Sequence, residues 1–266
     1  MKPEIHSSAI VAPSAVIEKG CSVGPFAIIE EDVILGENCM IEAQAIIKKG
    51  TVLDKNVQVG HFAVIGGNPQ HLDFDTKVKS SVRIGSAVRL GEGVTIHRSI
   101  YSGKATYVGS NSFLMGYSHV GHDCNLEDNV ILANGALLGG HVTIGSYTFI
   151  GGGAGIHQFV RIGEGVMVGG LSEVSKDVPP HVTISGRNRA CGLNLVGMKR
   201  RGIKGDDANA LKFVYRSILM KLGNPTVHAE NLVKQDKVKN NPLALKFTEF
   251  FSKESRGFVK SKSSLK

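Results

Sequence analysis

Tryptophan is absent from this 266-residue chain, and aromatic residues of all kinds make up only 6% of it. A packed interior must therefore be aliphatic, which a hydrophobic share of 42% can supply. No apolar run is long enough to span a bilayer, and the opening MKPEIHSSAI has no signal-peptide core. The expected location is the cytoplasm, without stable membrane insertion. Cysteine is sparse: Cys21, Cys39, Cys124 and Cys191 show neither close pairing nor metal-type spacing, which fits reduced thiols.

Negative charge is scarce at one end only. Residues 1–185 carry 13 Lys+Arg against 17 Asp+Glu, whereas residues 186–266 carry 18 against 6. The basic character of the chain belongs to its C-terminal part, which would attract an acidic protein, a nucleic acid or a phosphorylated ligand.

What is abundant is glycine, 33 residues, and a repeat. Stepping by six from Ile5 gives Val11, Ile17, Val23, Ile29, Leu35, Ile41, Ile47, Leu53, Val59 and Ile65, all branched aliphatics. The pattern breaks at 66–81, returns at Ile84, Leu90 and Ile96, breaks again at 102–106, and runs from Val108 to Val174. Four residues after each aliphatic comes a small or β-branched residue such as Ala9, Cys21 or Cys124. Neither a helix nor a single amphipathic strand has this period. Three hexads make a coil of three short strands, so residues three hexads apart stack roughly 4.8 Å from each other. The fold class expected is a β-solenoid, a parallel β-helix of about ten coils over residues 1–185, with both breaks projecting as loops. Residues 186–266 read as a small basic α-helical domain. Its helices are expected over DDANALKFVYRSILMKLG, capped by Asp206 or Asp207 and ended by Gly223, near Val227–Lys237, and over NPLALKFTEFFSKESRG, capped by Asn241.

The same arithmetic locates chemistry. His141 falls one three-hexad step after Asp123, and Gln158 falls two such steps after His122, with His157 one position short of that column. His122, Asp123, His141, His157 and Gln158 should gather at one outward corner over three coils, with His119 near the same edge. A lone histidine is usually structural, but three stacked outward imidazoles suit base chemistry near neutral pH. Asp123 could fix the tautomer of His122, and Gly140 could offer a bare N–H to an oxyanion. The glycines of GGGAGIHQ look like a phosphate loop, yet no strand-to-helix switch follows them. The run Met198–Gly202 is either a solvated stretch or a phosphate site.

The segments SHVGHDC (Ser118–Cys124), GGHVTIG (Gly139–Gly145), IHQFVRIG (Ile156–Gly163), DVPP (Asp177–Pro180) and GLNLVGMKRRG (Gly192–Gly202) resemble the acyl-carrier-protein–UDP-N-acetylglucosamine O-acyltransferases, which begin lipid A synthesis. The resemblance spans essentially the whole chain. It implies a left-handed helix, a homotrimer with sites between subunits, acyl carrier protein as donor, a UDP-sugar as acceptor, no nucleic-acid partner, and no cofactor or metal. Carried over residue by residue, His122 is the general base, Asp123 its orienting partner and Gly140 the oxyanion donor. The resemblance further makes His119, His141, His157 and Gln158 substrate contacts and places Asn194, Arg200 and Arg201 near the nucleotide phosphates. Met167 is a further substrate contact, and Gly170 matches the position that limits acyl length, where the lack of a side chain would admit a long chain. One departure stands out: the family's P-Q-D-L-K loop reads Pro69-Gln70-His71-Leu72-Asp73 here, so the expected sugar contacts are Gln70, His71 and Asp73. That change leaves a 3-amino acceptor, giving an amide, as an alternative.

Other classes remain to be weighed. A zinc enzyme of the β-helical carbonic anhydrase type would also use interfacial histidines, but would leave the basic tail without a task. A structural or ice-binding solenoid needs a flat, loop-free face. The related N-acyltransferases carry an added N-terminal domain, for which hexads beginning at Ile5 are expected to leave no room.

Overall fold

The computed structural model describes residues 2–252 and 256–261. Strands of mostly two residues recur wherever an aliphatic hexad position falls, from Glu4–Ile5 to Glu173–Val174. A strand this short has no stability alone, so each is held by the coils before and after it. Ile10 pairs with Ile28 and Ile131 with Phe149, each pair separated by three hexads of chain. His119 N–H, for example, donates to Ala136 O at 2.9 Å. The strands form three sheets of 12, 9 and 8 strands that wrap a left-handed β-helix. One face includes Phe113–Leu114 and Ile131–Leu132, the next His119–Val120 and Leu137–Leu138, the third Asn125–Leu126 and Thr143–Ile144.

Alternation along each strand sends the hexad aliphatic inward, and Leu114, Leu126, Leu132, Leu138 and Ile144 are fully buried. Burial of each such side chain contributes about 1.5–3 kcal/mol. Cys21, Cys39 and Cys124 fill the small inward position, and burial pushes the Cys39 and Cys124 thiols up to about 12. Cys191 alone of the four is exposed.

Corners between faces place one residue in the left-handed backbone region, with φ of 60° at Asp123, 61° at His141 and 66° at Phe159. That conformation costs a non-glycine residue roughly 1–2 kcal/mol, which explains the Asn and Asp residues at many corners. The stacked core offsets the cost.

The two interruptions lengthen the stacking interval. Gln58 pairs with Arg89 and Thr95 with His119, both farther apart in the chain than the three hexads of a regular coil. The loop boundaries differ from those the broken pattern indicated. Strands Val64–Gly67 and Ser81–Ile84 reclaim both ends of the first loop, which shrinks to residues 68–80. The second begins earlier than expected, occupying residues 98–104 between Thr95–His97 and Ala105–Val108.

After Val182–Ile184 the chain reverses in the antiparallel strand Arg189–Leu193. Helices follow: α1 (Leu195–Arg200), α2 (Gly205–Leu219), α3 (Pro225–Leu232), α4 (Asp236–Lys239) and α5 (Pro242–Glu249). Several expectations need correction. The N-cap of α2 is Lys204, in extended backbone with no side-chain cap, while Asp206 and Asp207 sit in the first turn, where they favour the helix dipole. The single helix expected near Val227–Lys237 is two, α3 and α4. The run Met198–Gly202 starts inside a helix, α1, whose N-terminus Asn194 caps by accepting from Gly197 N–H at 2.9 Å. Asn241 does cap α5, accepting from Ala244 N–H at 2.9 Å, with Pro242 in the first turn. The helix expected through Gly257 instead ends at Glu249 and passes into a 3₁₀ turn, Phe250–Ser252; residues 253–255 lie outside the described residues.

The helical part is tied to the column through Arg161, whose guanidinium lies 4.6 Å from the Phe250 ring and donates to Phe250 O at 3.3 Å, while its Nε donates to the fully buried Asp177 at 2.7 Å. Among the described residues no helix is long and apolar enough to cross a membrane.

Candidate active site

His122 and Asp123 occupy the corner that follows the strand His119–Val120. The inward positions on either side are taken by Val120 and Cys124, so both polar side chains point out, though their side chains are only 14% and 9% exposed. His122 Nδ1 lies 2.9 Å from Asp123 Oδ2. The carboxylate is held from its other side by the Ser99 hydroxyl and by Ile100 N–H at 3.1 Å. Burial opposes ionisation of Asp123, but hydrogen bonds from Ser99, Ile100 and His122 outweigh it and keep the carboxyl below its ordinary range. An ionised carboxylate can only accept, so Nδ1 of His122 donates to it, and in the neutral ring Nε2 holds the lone pair. Nε2 is thereby set up as a base.

Gly140 stacks directly on His122 in the next coil. A Cβ built at Gly140 would lie 2.7 Å from both Nε2 and Cε1 of the imidazole, so a side chain there would push the ring aside. Its own N–H donates to no acceptor among the described residues. A free amide donor thus sits against the basic nitrogen. The His141 ring stands edge-on to His122 at 5.0 Å and lies flat on Phe159 at 4.5 Å. Burial lowers the His141 pKa against the pull of Asp123, with His122 and His71 adding to the lowering.

The adjoining face forms an open groove of about 830 Å³, with Leu137 and Gly155 in its lining. His119, His122, Gly140, His157 and Gln158 line it as the stacking arithmetic required, and Gln70 joins them from the 68–80 loop. His71, on that loop, brings its ring edge to 6.3 Å from His122. Asp73 is exposed and does not line the groove; its N–H donates to His71 Nδ1 at 3.3 Å.

The remaining expected residues sit elsewhere on the chain. Met167 lies on the neighbouring face, between Phe149 and Thr183, and Gly170 at the corner beyond it. Asn194 donates to Gly165 O at 3.0 Å while capping α1. Arg201 pairs with Glu164 and lies 4.4 Å over the Tyr147 ring, and Arg200 is exposed at the end of α1. One chain does not gather these five with His122.

Two groups were missed by the sequence reading. His97 lines the groove edge-on to His119 at 4.7 Å, and burial, with His119 and His122 nearby, lowers its pKa to about 4. Ser99 anchors Asp123. Both sit where the second loop leaves the column, and that loop stretches the interval between stacked residues, so counting in three-hexad steps passes over them. An alignment of the aliphatics across the break, Ile96 with Val120, recovers them.

Ligand atoms of His122, Asp123 and His141 all lie within 4.8 Å of one another, a spacing that a metal could use. Here, however, both Asp123 oxygens already serve Ser99, Ile100 and His122.

Residues 14–49, 32–67 and 105–140 match the family model of bacterial transferase hexapeptides, and residues 177–259 match that of UDP N-acetylglucosamine O-acyltransferase, domain 2. An acyl-[acyl-carrier-protein]–UDP-N-acetylglucosamine O-acyltransferase from Burkholderia orbicola is 35% identical over 261 residues, covering 96% of this chain and 99% of the relative. A protein of the same name from Campylobacter concisus is 36% identical over 200 residues, 74% of this chain and 76% of its own length. Among solved structures, LpxA from Acinetobacter baumannii superposes with a TM-score of 0.92 at 33% identity, over 96% of this chain and 99% of that one. The UDP-N-acetylglucosamine acyltransferase of Francisella novicida gives 0.91 at 32% identity, over 97% and 94%.

Proposed function

This chain belongs to the acyl-carrier-protein–UDP-N-acetylglucosamine O-acyltransferases, and we propose from that premise that His122 is the base for transfer of a 3-hydroxyacyl chain to the sugar 3-hydroxyl. The reaction is the first step of lipid A synthesis. The observation that carries the base assignment is the Asp123–His122 pair with Nε2 free beside the Gly140 amide.

In the proposed reaction, Nε2 removes the proton of the sugar hydroxyl as its oxygen attacks the thioester carbonyl of the acyl carrier protein. The carbonyl oxygen becomes an oxyanion, which accepts a hydrogen bond from Gly140 N–H. Collapse breaks the carbon–sulfur bond, and the departing thiolate takes the proton back from the imidazolium. Asp123 stabilises that imidazolium and keeps its ring oriented. His119, His157 and Gln158 line the substrate path, His141 stands beside His122, and Gln70 and His71 approach the sugar from the loop, with Asp73 as a further sugar contact on it.

Met167, Gly170, Asn194, Arg200 and Arg201 join the site if subunits assemble as a homotrimer with grooves between them. Exposed apolar side chains support this assembly: Phe26, Phe62, Tyr117 and Leu171, 58–83% exposed, recur at one corner of the column. We divide the chain at residue 185 into the β-helix and a basic helical domain, whose charge suits an acidic carrier protein. A cytoplasmic location fits substrates of this kind. The relatives' names support neither the zinc enzyme nor transfer to a 3-amino sugar.

The test is an acyl-transfer assay of purified protein with acyl carrier protein thioesters and both UDP-sugars. Preferred turnover of the hydroxyl acceptor is expected; a strong preference for the 3-amino sugar would overturn the acceptor assignment.

A further inference from the structure

We infer a second, anion-binding site in the cavity beneath the 68–80 loop, separate from the reactive groove and suited to a diphosphate group. The cavity is about 630 Å³, in the size range of small-molecule sites. Of the 13 Lys+Arg in residues 1–185, seven line it, against two acids, Glu30 and Asp32. More than half the positive charge of a segment that is net negative converges on one hollow.

The cations differ in what they are free to do. Lys48 and Lys49, on the corner below, are paired with Glu30 and with Glu31 and Asp32. Arg98 holds the loop in place, donating to Val78 O, to Thr76 O at 2.9 Å and to Asn68 Oδ1 at 3.1 Å. Lys77, Lys79 and Arg83 have no acidic partner within ion-pair distance among the described residues. Among the described residues Lys104 meets the Tyr101 ring, at 5.0 Å, and no acid within ion-pair distance. Four uncompensated cations facing one cavity repel each other unless a counter-charge enters. They come from both projecting loops and the strand between, so a ligand with two linked phosphate groups offers charge to more than one of these segments at once.

The cavity is also wired to the groove. Ser80, in its lining, donates to the Ser99 carbonyl, and the Ser99 hydroxyl holds Asp123. The opposite end of the same loop carries Gln70 and His71. A bound diphosphate would therefore fix the loop and steady the Asp123–His122 pair, linking catalysis to the supply of phosphorylated compounds.

Calorimetric titration of the full-length protein with inorganic pyrophosphate tests this. One site per chain is expected, and the triple variant Lys77→Ala/Lys79→Ala/Arg83→Ala, still folded by circular dichroism, should bind roughly tenfold or more weakly. Single Lys79→Ala and Lys104→Ala variants should each weaken binding, which keeps the test open should the triple variant misfold. An Arg200→Ala/Arg201→Ala variant should bind pyrophosphate as wild type does. No binding by the wild type, loss only in the Arg200/Arg201 variant, or equal weakening in every variant would each overturn the proposal. In the Arg200/Arg201 variant, displacement of pyrophosphate by UDP identifies a nucleotide-borne diphosphate as ligand, and failure to displace identifies a free one; both uphold the site.

Discussion

His122 Nδ1 and Asp123 Oδ2 meet at 2.9 Å although the two residues are neighbours in the chain. In an extended strand adjacent side chains point to opposite faces. The left-handed φ of 60° at Asp123 turns its carboxylate back beside the imidazole. Replacing His122 by Ala should lower kcat/KM by at least about 100-fold, the usual worth of a general base. Asp123→Asn should lower it on the order of 10²-fold by allowing the wrong tautomer. Steady-state kinetics alongside circular dichroism check both; near-normal turnover in His122→Ala would remove the base assignment.

Gly140→Ala places a methyl 2.7 Å from His122 Nε2. The ring must shift, so kcat should fall on the order of 10²-fold with the fold intact. A crystal structure of the variant should show the imidazole displaced, and a ring left in place with full activity would contradict the packing argument.

Mixed trimers test the shared site. A His122→Ala chain and an Arg200→Ala/Arg201→Ala chain, each inactive alone, should regain part of the activity when refolded together, because some clefts then receive an intact residue set from each partner. Absence of any recovery would show that His122 and the arginines act from the same chain and would remove the shared cleft.

The spacing of the aliphatics made the column, its faces and the corner of His122, Asp123, Gly140 and Gln158 legible, because a closed coil leaves no freedom in which residues stack. His97 and Ser99 escaped because loops reset the interval locally and their lengths carry no periodic signal. The α2 cap was misplaced since Asp206 and Asp207 satisfy a cap's chemistry equally well from the first turn, and backbone geometry selected Lys204. Hexads are silent on Met167, Gly170 and the arginines, whose place in the proposed trimer would be set by a surface made by more than one chain.

Stability should depend on pH through histidines kept neutral by burial. His97 and His181 are both lowered from 6.5 to about 4. Between those values the unfolded chain binds more protons than the folded one, so the stability these two groups contribute is complete above pH 6.5 and is lost as pH falls towards 4. The Tm measured across that window should drop on the acid side, less steeply in His181→Asn. An equal slope in the variant would count against this origin.

Asp177→Ala removes the partner of Arg161 at the junction with the helical part, where Asp177 is fully buried and Arg161 is 20% exposed. Leaving that guanidinium unpaired should cost about 3 kcal/mol. Urea unfolding followed by far-ultraviolet circular dichroism measures the loss, and a change under about 1 kcal/mol would show the pair to be dispensable.

Because each coil touches only its neighbours, the pairing of Ile10 with its counterpart Ile28 makes the solenoid's length a separable quantity. Excising one complete winding from the N-terminal portion keeps every inward aliphatic inward, whereas excising one residue fewer turns all preceding windings inside out. Shortened forms of the enzyme should be obtainable in whole hexads, three to a winding, and in no other internal increment.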